Sequence, residues 1–230
     1  HGGDGDRGRA GGEGQADARA VPVASPPRTV SPTEKSRNPI PSPPEGPMCD
    51  LSSRDSHAQR RAIVIRAASK ADMAAVGDIY AHYVLRSLAT FEETPPTLDE
   101  MLARRRASVD VSLPYLVAEA ETEILGFAYA AAYRPRPAYR FTIEDSVYVA
   151  DGLGGRGIGS ALLGELIAAC ELGPWRQMVA VVGDSANSGS IALHRRFGFE
   201  LAGTLRSVGF KFGRWVDTPI LQRALGTARR

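Results

Sequence analysis

One glutamate, Glu144, interrupts the alternating stretch Phe141-Thr-Ile-Glu-Asp-Ser-Val-Tyr-Val149, which runs on into Gly154-Gly-Arg-Gly-Ile-Gly-Ser160. Side chains alternate along a strand, so Thr142, Glu144, Ser146 and Tyr148 share one face while Ile143, Asp145, Val147 and Val149 share the other. A carboxylate buried among β-formers is penalised in its charged form, which raises its pKa towards the range of a general base. A structural ion pair with a nearby arginine is the alternative. The glycine turn lacks the Gly-Lys-Ser/Thr ending of a Walker loop and the spacing of a dinucleotide fingerprint. Several glycines before a helix start nevertheless let backbone amides approach a pyrophosphate, with the helix dipole favouring negative charge. Arg156 adds a fixed positive charge, and a strand-to-helix turn without a ligand is the competing reading of the glycines alone. A base beside a nest of N–H donors suits chemistry on a substrate delivered by a phosphate-bearing cofactor.

The elements that must position these residues follow from periodicity. Ala62–Arg66 reads as a short strand. Ser69-Lys-Ala-Asp72 resembles a capping box ahead of Met73, Val76, Ile79, Tyr80 and Val84 at helical spacing. Thr97-Leu-Asp-Glu100 carries a second capping signature, for a helix to about Ala107. Tyr115–Glu119 and Ile124–Tyr129 read as a hairpin, and a loop from Tyr133 to Arg140 leads into strand 141–149. After the glycine turn, Ile158, Leu162, Leu163, Leu166, Ile167 and Cys170 make one helix face. Gln177–Val182 is a buried-type strand, and a helix from about Ser188 to Phe197 ends at Gly198. Phe199–Leu205 and Thr218–Leu225 close the chain as strands. The order β-α-α-β-β-β-α-β-α-β-β describes one mixed α/β domain with a central sheet.

Composition narrows the function classes. The 230 residues carry a net charge of +2, and the arginines are dispersed, which argues against nucleic acid. Two cysteines, Cys49 and Cys170, make neither a disulfide framework nor a cysteine metal site, and a reducing cytoplasm is the natural compartment. No apolar run approaches the ~20 residues of a membrane span, nor is there a secretory-type hydrophobic segment near the N-terminus. Residues 1–60, rich in Gly, Pro and Arg, read as a disordered tail, and residues 61–230 as the folded domain. The chain begins with His, and Met48 is a candidate start.

Across Ile63 to Gly226 the chain resembles the GNAT N-acetyltransferases, in particular their phosphinothricin/methionine sulfone acetyltransferase branch. The matching pieces include Ile79-Tyr-Ala-His-Tyr83, Thr90-Phe-Glu92, Gly126-Phe-Ala-Tyr129, Tyr133-Arg-Pro-Arg-Pro-Ala-Tyr139 and Glu144-Asp-Ser-Val-Tyr-Val149. They continue through Gly157-Ile-Gly159, Asn187-Ser-Gly-Ser190, Leu193-His194, Gly198-Phe199, Gly209-Phe-Lys211 and Trp215-Val-Asp217. Their order and spacing together are specific, although no single piece decides.

The resemblance implies an α+β fold whose central sheet is mixed, mostly antiparallel and splayed, flanked by helices. It implies acetyl-CoA as co-substrate, without a metal, lying against Val147, Tyr148 and Val149. The pyrophosphate would sit on the turn Gly154, Gly155, Arg156, Gly157, Ile158, Gly159 and Ser160, with Asn187 and Ser190 at the pantetheine. Gly154 stands where the family motif has Gln or Arg, a lost side chain that Arg156 could offset. Glu144 would deprotonate the amine, a strand N–H near Val147 or Tyr148 would stabilise the developing oxyanion, and His194 would serve the leaving thiolate or assist the base. Phe91, Arg136 and Tyr139 would face a small amino acid-like substrate such as phosphinothricin, methionine sulfone or methionine sulfoximine. Arg134 and Arg140 read as solvated rather than ligating, and a solvated Arg136 is the alternative to its role at the substrate. A homodimer is implied through the segment Val208–Asp217. Acetylation of another small amine or a peptide N-terminus, and a CoA-binding module without turnover, are the alternatives.

Overall fold

The computed structural model describes residues 62–226; the tail expected over 1–60 and Cys49 lie outside the described residues. Seven strands form one sheet in the order β1-β2-β3-β4-β5-β7-β6. They are β1 (Val64–Ala67), β2 (Tyr115–Ala120), β3 (Glu123–Ala132), β4 (Thr142–Val149), β5 (Gln177–Val181), β6 (Glu200–Lys211) and β7 (Arg214–Ala224). All neighbours are antiparallel except β4 and β5, which run parallel. The α-helices are α1 (Met73–Arg86), α2 (Leu98–Val109), α3 (Ile158–Glu171) and α4 (Ser188–Arg196).

The period-2 pattern of the middle strands sends their two faces into two cores. Val117 and Phe127 pack with Met73, Val76, Tyr80, Val84 and Met101 under α1 and α2. Ala118, Ala128 and Ile143 pack with Leu162, Leu163, Leu166 and Cys170 under α3. On the first face Tyr115, Tyr129, Phe127 and Tyr148 form a run of stacked rings with centroids 4.9–6.3 Å apart. Small residues on the opposite face let α3 approach the sheet.

Helix starts follow local chemistry. The Thr97 hydroxyl accepts from the Glu100 N–H and the Glu100 carboxylate accepts from the Thr97 N–H, so the box is complete. Helix α2 then runs two residues beyond the expected Ala107. Only half of the box expected at Ser69 forms. Asp72 accepts from the Ser69 N–H at 2.6 Å and hydroxyl at 2.8 Å, while α1 begins at Met73 with no side-chain cap. Arg66 donates to both Asp72 oxygens, at 2.7 and 2.8 Å, and ties β1 to the entrance of α1.

The largest departure from the sequence reading is at the C-terminal end. Instead of short strands around an irregular 208–217 segment, β6 and β7 form one long hairpin. Phe212 and Gly213, at φ 50° and 74°, make the two-residue turn, a geometry in which phenylalanine is an uncommon first residue. A bulge between Leu205 and Gly209 absorbs the extra residues of β6, and the Asp217 carboxylate accepts the Ser207 N–H there at 2.9 Å.

Candidate active site

The parallel pairing of β4 with β5 ends at Asp145 opposite Ala180. Beyond it β4 continues to Val149 while α4 follows β5, so the strands part and open a cleft of about 670 Å³. Peptide groups alternate in direction along β4. The Ala150 N–H goes to Leu125 and the Thr142 carbonyl accepts from Tyr133, so even-numbered peptides face β3. Those of Val147 and Val149 therefore face the cleft side. The Tyr83 hydroxyl, reaching over from α1, donates to the Val149 carbonyl at 2.6 Å. The Val147 N–H and C=O border the gap, whereas the Tyr148 N–H is turned to β3.

Of the residues expected to hold a cofactor, Val147, Tyr148, Val149, Gly154, Gly155, Gly157, Ile158, Gly159, Ser160, Asn187 and Ser190 line this cleft, and Arg156 does not. Gly155 and Gly157 take φ of +76° and +86°, conformations that a side chain would strain. A Cβ on Gly154, Gly155 or Gly157 would meet nothing within 4 Å, so the backbone is bare on that side. The N-cap of α3, Gly157, has no side-chain cap, and the first helical bond is Ala161 N–H to the Gly157 carbonyl. The preceding N–H groups are left for an anion. This bare, donor-rich turn at one end of an open cleft fits a pyrophosphate with a pantetheine arm beside β4. On α4, the Asn187 side chain accepts from the Ser190 N–H at 3.1 Å and caps the helix.

Glu144 and His194 do not meet. Glu144 lies on the α1/α2 face, one strand repeat from Ser146, which lines the cleft. Burial, and secondarily the charge of Asp145, push its carboxyl up to about 7, with Arg134 opposing. His194 lies on the other face, 5% exposed, with Nε2 2.9 Å from Asp145 Oδ2 and Nδ1 2.7 Å from the Ser190 carbonyl oxygen. Burial disfavours its charge, but the bond to Asp145, that carboxylate's charge and the Ser190 carbonyl together raise its pKa. Asp145 was missed from sequence. Strand parity put it opposite Glu144, but nothing local said that α4 would fold over that face.

None of the three residues expected at the substrate, Phe91, Arg136 and Tyr139, lines this cleft. Phe91, partly exposed, has its ring against Gly209, so closely that no Cβ would fit there. Arg136 and Tyr139 are exposed around a single 3₁₀ turn (Pro137–Tyr139), with the Tyr139 ring edge-on to Tyr133 at 5.8 Å. Arg134 is exposed, as expected, yet its charge is felt at Glu144, and its guanidinium lies over the Tyr133 ring at 5.0 Å. Sequence reading also missed the support behind Phe91. Glu92 accepts from Tyr80 at 2.9 Å and from Arg104 at 2.7 and 3.0 Å. Lys211, 2% exposed, donates to the carbonyls of Ser87 and Thr90 at 2.9 and 2.8 Å. Among the described residues no cluster of three or more His, Cys, Asp or Glu is placed to hold a metal.

A mostly antiparallel sheet split at its one parallel pair beside a bare glycine turn fits an acyltransferase architecture, and comparison with known proteins agrees. Residues 65–220 match the family described as acetyltransferase (GNAT) domain. The chain is 55% identical over 166 residues to a phosphinothricin N-acetyltransferase of Alcaligenes faecalis, covering 72% of this chain and 84% of that protein. It is 41% identical over 170 residues to an L-methionine sulfoximine/L-methionine sulfone acetyltransferase of Pseudomonas aeruginosa, covering 72% and 96%. Among solved structures, a phosphinothricin acetyltransferase from Sinorhizobium meliloti in complex with acetyl-CoA superposes with a TM-score of 0.70 at 47% identity, covering 73% of this chain and 92% of that one. The chain belongs to the GNAT acetyltransferase family and is an acyltransferase.

Proposed function

We propose that this enzyme transfers acetyl from acetyl-CoA to the α-amine of a small amino acid analogue of the phosphinothricin, methionine sulfone or methionine sulfoximine type. The similarity to enzymes named for those substrates supports the substrate class. The observation that carries the mechanism is Glu144, whose carboxyl is pushed up to about 7, chiefly by burial, one strand repeat before Ser146, which lines the cleft. A carboxylate of that basicity accepts a proton from an ammonium group at neutral pH without binding it irreversibly. The amine nitrogen, freed of its extra proton, adds to the thioester carbonyl to form the N–C bond; the C–S bond then breaks, and the proton that the nitrogen loses as the amide forms ends on the departing thiolate. The Val147 N–H, turned to the gap, is the donor for the carbonyl oxygen that gains charge. The turn from Gly154 to Ser160 binds the pyrophosphate, Arg156 adds charge from outside the cleft, and Asn187 and Ser190 flank the pantetheine.

Substrate orientation falls to Arg134, Arg136 and Tyr139 in the 133–140 loop and to Phe91 as an apolar wall. An arginine fork matches a carboxylate or a phosphinate. The exposed Val208, Phe210, Phe212 and Trp215 on the β6–β7 hairpin favour a homodimer. The free thiol of Cys170 suits a cytoplasmic setting, and no helix among the described residues is long and apolar enough to cross a membrane.

The test is thiol release from acetyl-CoA against a panel of amino acid analogues, with Glu144→Gln alongside. Turnover on a methionine sulfone or phosphinothricin type amine, lowered by about 10²–10⁴-fold in Glu144→Gln, is expected. Turnover that survives the substitution would remove Glu144 as base. Acetyl-CoA binding without release on any amine would leave only a binding module.

A further inference from the structure

The Asp145–His194 contact has a proton count that limits what His194 can do. A backbone carbonyl only accepts, so the 2.7 Å contact with the Ser190 oxygen puts a hydrogen on Nδ1. Nε2 faces the Asp145 carboxyl at 2.9 Å, so a second hydrogen lies between Nε2 and Oδ2. The pair is neutral as a whole whichever atom carries that hydrogen. Neither ring nitrogen has a hydrogen to spare for a thiolate in the cleft. Both side chains are buried, 6% exposed for His194 and 0% for Asp145, and Asp145 Oδ1 has no partner among the described residues. A carboxylate buried with one oxygen unsatisfied is costly, which leaves its bond to His194 as the interaction that retains it.

The position of the pair indicates its use. Asp145 is the last residue of β4 to pair with β5 before the strands part. His194 belongs to α4, which follows β5, so the bond spans the root of the split. From His194 the chain of bonds continues to Ser190 and to the cap Asn187, both facing the cleft. We infer that Asp145 and His194 are a buried staple across the root of the β4–β5 split, positioning the first turn of α4 for acetyl-CoA rather than supplying a proton to its sulfur. Asp145 is thus a positioning residue, acting through His194 on Ser190 and Asn187.

The inference rests on acetyl-CoA as acyl donor, and two readouts separate its failure from the failure of that reading. Asp145→Asn keeps a neutral bond, its amide donating to Nε2; Asp145→Ala keeps none. Hydrogen exchange on the protein alone reads the staple: amides of α4 should exchange at least tenfold faster in Asp145→Asn, and faster still in Asp145→Ala, with α1 and α2 unchanged. In turnover, the loss should fall on KM for acetyl-CoA, at least threefold in Asp145→Asn, and not on kcat. Unchanged α4 protection, or a loss confined to kcat, would overturn the staple. Should Asp145→Ala fail to fold, Asp145→Asn decides by the same two measurements. A wild-type chain that does not bind acetyl-CoA in calorimetry would instead overturn the donor assignment, with hydrogen exchange still testing the staple.

Discussion

Glu144 and Asp145 are neighbours in the chain and carry their carboxylates to opposite faces of β4, the first pushed up to about 7 by burial, the second bonded to His194. One strand therefore bears both the proposed base and the proposed anchor within a single strand repeat.

From Glu144 comes a pH dependence of both rate and stability. As the proposed base it must be ionised, so kcat/KM should rise through about pH 7, and that limb should vanish in Glu144→Gln. Its folded pKa lies above its unfolded value, so the stability it contributes is complete below about pH 4.5 and lost as pH rises through about 7. Glu144→Gln should thus melt above wild type at pH 8, by at most about 3 kcal/mol after allowing for partial exposure, and match it near pH 4. Denaturation series at the two pH values check this.

Gly154 offers a gain of function. Its Cβ would meet open space, and family relatives place Gln or Arg there by the sequence resemblance. Gly154→Arg adds a charge-assisted donor at the edge of the nest, partly offset by side-chain ordering, and should tighten acetyl-CoA about three- to tenfold. Calorimetric titration with acetyl-CoA at two salt concentrations measures it, and the gain should shrink at high salt.

Gly209 and Phe91 should be energetically coupled. Gly209→Ala drives a methyl into the Phe91 ring and should destabilise by about 1–3 kcal/mol. In a Phe91→Ala background the same change should cost almost nothing, so a double-mutant cycle should return most of the penalty as interaction energy.

Lys211 holds the α1–α2 loop by two carbonyls. Lys211→Met fills similar volume but leaves both acceptors unpaired, a loss of about 2–4 kcal/mol in chemical denaturation. Because that loop carries Phe91 and Glu92, KM for the amine should rise more than KM for acetyl-CoA.

The hairpin surface predicts an assembly. Phe210 is 55% and Trp215 66% exposed, and their rings are 5.1 Å apart. Replacing both with Asp should convert a dimer into a single-chain species in sedimentation, with far-ultraviolet circular dichroism unchanged.

The sequence by itself determined the element order, the two faces of β4 and the glycine turn, because these depend on local periodicity and on φ values that only glycine adopts without strain. The Thr97 box was legible for the same reason, since both its bonds lie within four residues. The Phe212-Gly213 turn was not, because its φ values are imposed by the pairing of two eleven- or twelve-residue strands rather than by the turn residues. Only the tertiary structure decided which face each distant side chain met. His194 and Asp145 are 49 residues apart and Lys211 lies 124 from Ser87. Such pairings are fixed by how helices pack on the sheet, and burial then makes each polar group take whatever partner that packing brings.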